Sequence, residues 1–240
     1  MKKGIIKLLL LICIICFQVS EILAGPGGKI AKAIFTSPLG KVVLLILTII
    51  FLPLIIYGVA REYFGIRKTK KDLKQLALIR PGLFDEITLK NRITDVFTRV
   101  HKGWSGENLE ECSEYMSDWY WQNQQIVFLD KWKEINLENI CNVKRINSIS
   151  PLHMRITNEP DYEGSRIMFK IDANMEDYLR NRDSRRVVEG KEGFRDNETV
   201  WTLVLANGKW KVDNIEQSEM TIQYAKMENI VPVLGGVKVT

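Results

Sequence analysis

The side chains most able to do chemistry are two histidines and a few cysteines. His101 and His153 fall in different predicted elements, so a metal site built on histidine is not expected. Cys112 and Cys141 have no partner at disulfide or metal-binding spacing and are predicted to be buried free thiols. The sequence therefore predicts no metal and no cofactor.

Motifs for catalysis are also missing from the sequence. It contains no phosphate-binding glycine loop, dinucleotide fingerprint, nucleophile elbow or zinc-protease motif. Asp172 and Asp213 lie on predicted strands without an adjacent partner group, so we expect them to face outward or to anchor loops. We predict no catalytic residue, and the chain is not expected to be an enzyme.

Tryptophan is concentrated in one predicted helix, which runs from Trp119 to about residue 134. One interpretation is a core ridge that lies across a sheet. The other is that some of these rings, together with aromatic residues on the later strands, line a pocket. The pocket candidates are Trp121, Phe128, Trp132, Trp201 and Trp210.

The net charge of +5 is distributed unevenly along the chain. Residues 1–58 hold six lysines and one glutamate, and residues 59–80 hold seven basic and two acidic side chains. The remaining 160 residues hold 21 basic and 26 acidic side chains. Positive charge thus accompanies the apolar segments, and no binding of nucleic acid is expected from the mildly acidic remainder.

Residues 1–24 have the form of a secretory signal peptide, with a lysine-rich start and ten uncharged apolar residues before Ala24. Ile22 is larger than the residue usual at the third position before a cleavage site, so an uncleaved signal anchor is the alternative. Cys13 and Cys16 lie inside the apolar stretch, where they are best interpreted as small hydrophobic side chains. Cleavage leaves residues 25–41 as a short exported segment.

Residues 42–60 are 19 uncharged, largely aliphatic residues, long enough for a transmembrane helix. Pro53 is tolerated in such a helix. Three lysines precede the span and seven basic residues follow it within 61–80, so the rule that positive flanks stay inside places the C-terminal region in the cytoplasm. We expect a single-pass protein of a bacterial inner membrane after signal cleavage.

Residues 61–84 form a predicted basic stalk, either a continuation of the span or a helix on the membrane surface. Its cations either bind acidic lipid or act only as the stop-transfer signal. The candidate membrane-surface residues are Arg61, Arg67, Lys68, Lys70, Lys71 and Lys74.

Residues 85–228 are predicted to fold as an α+β domain with three helices on one face of a curved antiparallel sheet. Helical periodicity starts after Asp85, and Ser105 and Ser117 are candidate N-caps for the second and third helices. Strands are expected over 139–149, 152–157 and 167–178, and 180–196 is expected to be an exposed loop. Asn207-Gly208 predicts a hairpin between two further strands. Residues 218–229 are expected to form a last short helix, and 229–240 a tail.

The order of these elements is similar to that of a known family. The residues that carry the likeness are an aromatic Trp104 at the end of the first helix, the strand Glu198-Thr-Val-Trp201 and the strand Trp210-Lys-Val212. The chain resembles the C-terminal domain of mitochondrial inner-membrane translocase subunit 44 and its bacterial relatives. The resemblance implies a cone similar to nuclear transport factor two, with an apolar hollow. It also implies a membrane-bound, non-catalytic binding domain that associates with acidic lipid. No site residue is implied.

Three hypotheses follow. The first is a membrane-anchored module that binds a protein partner and acidic lipid. The second is a cone-fold enzyme of the isomerase or dehydratase type, which requires an ionisable group inside the hollow. The third is a pocket for a hydrophobic small molecule. The oligomeric state does not follow from the sequence.

Overall fold

The computed structural model describes residues 37–232. The predicted signal segment, most of the segment 25–41 and the end of the predicted tail lie outside the described residues. The chain divides between Val59 and Ala60 into two compact units.

Helix α1 extends over Pro38–Ile79 and contains Pro53 without a break. Among residues 37–232, it is the one helix long and apolar enough to cross a membrane, which suggests a single-pass protein. The helix continues through residues 60 and 61, where the sequence analysis placed the boundary between span and stalk.

From Ala60 onwards, α1 belongs to the second unit and buries one stripe of its surface. The buried residues are Gly65, Thr69, Asp72, Leu73 and Leu76, at the spacing of one helix face. Two of the five are polar, which is unusual for a buried stripe and requires hydrogen-bond partners. This part of α1 is therefore an element of the domain as well as a flank of the span.

After a short helix α2, Pro81–Phe84, helix α3 extends over Glu86–Ser105. Asp85 caps α3, because its carboxylate accepts hydrogen bonds from the backbone of Ile87 at 3.1 Å and of Thr88 at 2.9 Å. The prediction that Ser105 caps the second helix is wrong, since Ser105 is the last residue of α3. The second helix is a 3-10 turn, Glu110–Tyr115.

The predicted aromatic helix is observed as three continuous pieces. They are α4 over Asp118–Gln124, a π-helical turn over Gln125–Asp130 and α5 over Lys131–Glu134. Ser117 precedes α4 as predicted, but its side chain makes no capping hydrogen bond. Its backbone N–H donates instead to Val212 O at 2.8 Å, which ties the start of α4 to the sheet.

The sheet has five antiparallel strands, with the bounds β1 Leu137–Arg155, β2 Arg166–Asn181, β3 Val187–Gly190, β4 Arg195–Ala206 and β5 Lys209–Gln217. The order is β1-β2-β4-β5, and β3 pairs with the far end of β2. The sequence predicted two strands where β1 is a single one. Pro151 does not end β1 because that strand is at the sheet edge and its register shifts there.

Two other regions can be compared with their predictions. The predicted loop 180–196 is shorter than expected, because β2 extends to Asn181 and β3 lies within it. The hairpin is confirmed, and Asn207 and Gly208 both have positive φ as a two-residue turn requires. The last helix, α6, extends over Met220–Lys226.

Helices pack against both faces of the sheet. On one face, α3 buries Ile93, Val96 and Phe97 against strand residues such as Ile171 and Leu203. On the other face, α1 and α6 cover a smaller cluster of Leu152, Val200 and Ala225, with Ile66 and Tyr224 at its margin. The sequence placed helices on one face only.

Candidate functional site

Most of the predicted membrane-surface cations are exposed on α1, and we call this exposed set the basic face. Its members are Arg61, Arg67, Lys68, Lys71 and Lys74. Lys70, the sixth candidate, is half-buried, and its ammonium group lies 3.4 Å from a carboxylate oxygen of Glu86. The structure therefore exposes five of the six candidates, and Arg67, Lys68, Lys71 and Lys74 among them line one shallow surface.

Two aromatic rings adjoin the basic face. Tyr63 and Phe64 are 59% and 61% exposed, and their ring centroids are 5.5 Å apart in an edge-to-face arrangement. They follow directly after the apolar part of α1. Exposed aromatic rings at the end of a span are typical of the membrane interface.

A second site is a cavity of about 220 Å³ between the sheet and α3, α4 and α5, which is partly open to solvent beside Asp177 and Gln217; we call it the aromatic cavity. Its aromatic wall consists of His101, Trp104, Tyr120, Trp132 and Trp201. The remainder of its wall is formed by Val100, Gln124, Asn139, Cys141, Met175, Asp177, Asn197, Thr199, Ile215 and Gln217. Four strands and three helices thus meet at this cavity.

His101 is held in one orientation at the wall of the aromatic cavity. Its Nδ1 lies 2.7 Å from the carbonyl oxygen of Phe97, one helical turn earlier. The imidazole packs against the rings of Phe97 and Trp201, at centroid distances of 4.1 and 5.5 Å. Burial disfavours the charged imidazolium and lowers the pKa of His101 to about 4, so the ring is neutral at physiological pH.

Three other ionisable groups border the cavity. Burial raises the pKa of the Tyr120 phenol and that of the Cys141 thiol, so both stay protonated. Asp177 lies on the neighbouring strand opposite Cys141 and is exposed on its other side. Burial is the main cause that raises the pKa of the Asp177 carboxyl, and the negative charge of the nearby Glu189 raises it further. The cavity wall contains no lysine or arginine among the described residues.

The predicted pocket residues are divided by the structure. Trp132 and Trp201 line the aromatic cavity, and Phe128 contacts it indirectly, at 5.6 Å from the Trp132 ring. Trp121 packs at the margin of the core. Trp210 is buried elsewhere, where its indole N–H donates to Leu83 O at 3.1 Å. Two of the five candidates are thus wall residues.

No motif in the sequence indicated a pocket role for His101, Tyr120 or Asp177. Trp104 was noted only as the end of a helix. Since His101 and Trp104 are three residues apart on the face of α3 that meets the sheet, their spacing was a usable signal. No spacing relates either residue to Trp201 or Asp177 on distant strands.

Other predicted features have simpler outcomes. Cys112 and Cys141 are buried free thiols, as predicted. Asp172 accepts a hydrogen bond from Asn147 at 3.2 Å, and Asp213 pairs with Arg166 at 3.2 Å, so neither faces the cavity. Among residues 37–232, no group of three potential metal ligands occurs.

Comparison with known proteins identifies no family for this chain. No known protein family matches its sequence, and no characterised protein matches it either. Among solved structures, the intermembrane space region of the chloroplast protein ARC6 is similar at 11% sequence identity and a TM-score of 0.39. The match covers 56% of this chain and 98% of that one. At this level of likeness no function transfers to the chain.

Proposed function

We propose that this chain is a membrane-anchored, non-catalytic binding module on the cytoplasmic face of a bacterial inner membrane, where it engages acidic lipid and a protein partner. The observation that carries the proposal is the basic face, which follows an apolar helix segment without a break. The resemblance of residues 85–228 to the translocase family supports the same reading. In this proposal the bulged sheet curls with its helices into a cone.

Electrostatic magnitudes indicate which cations matter most for lipid. A basic side chain near an anionic leaflet contributes about 1 kcal/mol, and the contribution decays over a Debye length of about 8 Å in physiological salt. At about 1.5 Å per residue, Arg67 and Lys68 lie about 10 to 12 Å along the helix from Ala60, and Lys74 lies about 20 Å from it. Arg67 and Lys68 are therefore expected to contribute more to the attraction than Lys74 does.

The lipid part is tested on the full chain in bilayers that contain spin-labelled phosphatidylglycerol or phosphatidylcholine. We expect the wild type to immobilise the anionic lipid preferentially and to lose this preference at high salt. Arg67→Gln/Lys68→Gln should weaken it. Lys131→Gln/Lys133→Gln is the matched control, because it removes two exposed charges from α5. Equal immobilisation of both lipids by the wild type would refute lipid binding.

Exposed apolar residues on α4 and the following π-helical turn support the protein partner. Trp119 and Ile126 are 67% and 61% exposed and lie seven residues apart, so they share one side of the helix. Large exposed apolar patches mark interaction sites. A photo-crosslinking amino acid at position 126 in living cells should yield one protein adduct of defined mass. The same probe at the exposed position 158 is the control, and no specific adduct at position 126 would count against a partner.

The cytoplasmic orientation has a separate test. Asn158 is exposed, and the cysteines of the described domain are buried. Asn158→Cys should resist a membrane-impermeant maleimide on intact cells and react after the membrane is permeabilised. Ready labelling of intact cells would reverse the proposed orientation.

A further inference from the structure

The aromatic cavity carries an inference that goes beyond the proposed function. Close-packed protein interiors contain few voids larger than a water molecule. A dry cavity of about 150 Å³ is large enough to bind benzene, so the 220 Å³ observed here accommodates one substituted ring. The question is which chemistry the wall selects.

The wall offers one fixed hydrogen-bond acceptor. A backbone carbonyl can only accept, so the short contact with Phe97 O requires the hydrogen of His101 to reside on Nδ1. In the neutral ring, Nε2 then carries a lone pair. Nε2 has no hydrogen-bond partner within the described part of the chain, and the imidazole borders the cavity. A ligand that satisfies Nε2 must donate a hydrogen bond.

The remaining wall favours a flat, neutral body. Trp104, Tyr120, Trp132 and Trp201 present aromatic surface, which packs favourably against another ring. The absence of lysine and arginine from this wall, together with the Asp177 carboxyl, disfavours an anion. We infer that the aromatic cavity binds a small neutral aromatic alcohol whose hydroxyl group donates to Nε2 of His101.

The same geometry favours binding over proton transfer. In hydrolytic triads, a carboxylate on Nδ1 stabilises the charged imidazolium, whereas here a neutral carbonyl occupies that position. Burial without a compensating charge makes His101 a weak base at neutral pH. His101 is therefore a hydrogen-bond acceptor for a ligand.

The test uses 4-cyanophenol as the probe and 4-methoxybenzonitrile, which has no hydroxyl hydrogen, as the matched control ligand. Both are titrated into the full chain in nanodiscs, with tryptophan fluorescence as readout and empty nanodiscs as the blank. We expect the phenol to bind at least about fivefold more tightly, the factor that one neutral hydrogen bond supplies. His101→Phe should remove this preference and leave weak binding of both ligands. His101→Gln, which restores an acceptor oxygen, should recover part of it.

A measurement on the wild type keeps the test independent of variants that fail to fold. In protein labelled with ¹⁵N-histidine, the phenol should shift the Nε2 resonance of His101, and the methyl ether should not. His153→Phe assigns the two histidine signals. Equal affinity for both ligands, no binding of either, or an unmoved Nε2 resonance would each overturn the inference. Since the lipid assay does not involve the cavity, failure here leaves the proposed function standing.

Discussion

Gly65 on α1 and Ala225 on α6 are in direct backbone contact. A Cβ atom built on Gly65 would lie 2.5 Å from the carbonyl oxygen of Ala225 and 2.9 Å from its Cα. Only a residue without a side chain permits this approach. The contact holds α6 and the second half of α1 together over the outer face of the sheet, beside Leu152 and Val200.

Replacement of Gly65 by alanine should therefore destabilise the domain, although alanine is the better helix former. We expect the overpacked contact to lower the free energy of unfolding by about 1 to 3 kcal/mol. All six tryptophans lie between residues 104 and 210, so denaturant unfolding in detergent, followed by tryptophan fluorescence, reports on the domain.

Gly82→Ala is the matched control, because nothing lies within 4 Å of a Cβ at this other helical glycine. It should leave stability unchanged or raise it slightly. Equal unfolding midpoints for the Gly65 and Gly82 variants would show that the close contact is not a determinant of stability.

Asn229 joins three segments of the domain through its side-chain amide. Its Nδ2 donates to Asp72 at 2.7 Å, and its Oδ1 accepts from the backbone N–H of Met154 at 3.0 Å. Asn229→Ala leaves a buried carboxylate and a backbone donor without this partner, so we expect a loss of about 1 to 3 kcal/mol. The exposed Asn158→Ala should change the unfolding free energy by less than about 0.5 kcal/mol.

A double-mutant cycle separates the contribution of the Asn229–Asp72 hydrogen bond from other effects of the two substitutions on stability. Once Asp72 is alanine, removal of Asn229 should cost less than it does in the wild type, because the charge it satisfied is gone. Additive losses from the two substitutions would mean that the hydrogen bond between them contributes nothing.

The hydrogen bonds of Asn229 show why part of the fold could not be predicted from the sequence. Period-two alternation in 167–173 and the Asn-Gly pair predicted a strand and a hairpin correctly, because those signals are local. Thr69 and Asp72 lie among cations after an apolar span, a pattern typical of an exposed stalk. Both side chains accept hydrogen bonds from the amide of Asn229, which lies 157 residues after Asp72. No local sequence pattern contains that contact.

The candidate site shows the same limit. The basic face could be predicted, since helical spacing and the end of the apolar segment are both in the sequence. Aromatic content made Trp132 and Trp201 candidates for a pocket, but the contact between His101 and Trp201 is recognisable only when α3 is placed over β4. The helical period of the sequence predicts which side of α3 is buried. Which strand residues that side contacts is decided by tertiary packing.

The buried thiols should be unreactive in the folded domain. Burial raises the pKa of Cys112 to about 11, and the pKa of Cys141 is also raised by burial. At pH 8 about a thousandth of a thiol with pKa 11 is thiolate, against about a quarter of an ordinary cysteine. In a Cys13→Ser/Cys16→Ser background, iodoacetamide should label both at least about a hundredfold more slowly than in guanidinium chloride. Rapid labelling of the native protein, followed by mass spectrometry, would contradict their burial.

The unfolding free energy should fall between pH about 6.5 and pH about 4 because of His101. Its pKa is about 4 in the folded protein and has its ordinary value of 6.5 when the chain unfolds. Between these two pH values the unfolded state binds more protons than the folded state, so the free energy of unfolding decreases as the pH is lowered. The total decrease is about 3 kcal/mol. The His101→Phe variant has no imidazole to titrate at this position. The difference in unfolding free energy between wild type and variant should therefore change by about 3 kcal/mol between pH about 6.5 and pH about 4. His153 also has a pKa lowered by burial, but it is present in both proteins and its contribution cancels. A difference that stays constant with pH would mean that the imidazole of His101 is solvated in the folded domain.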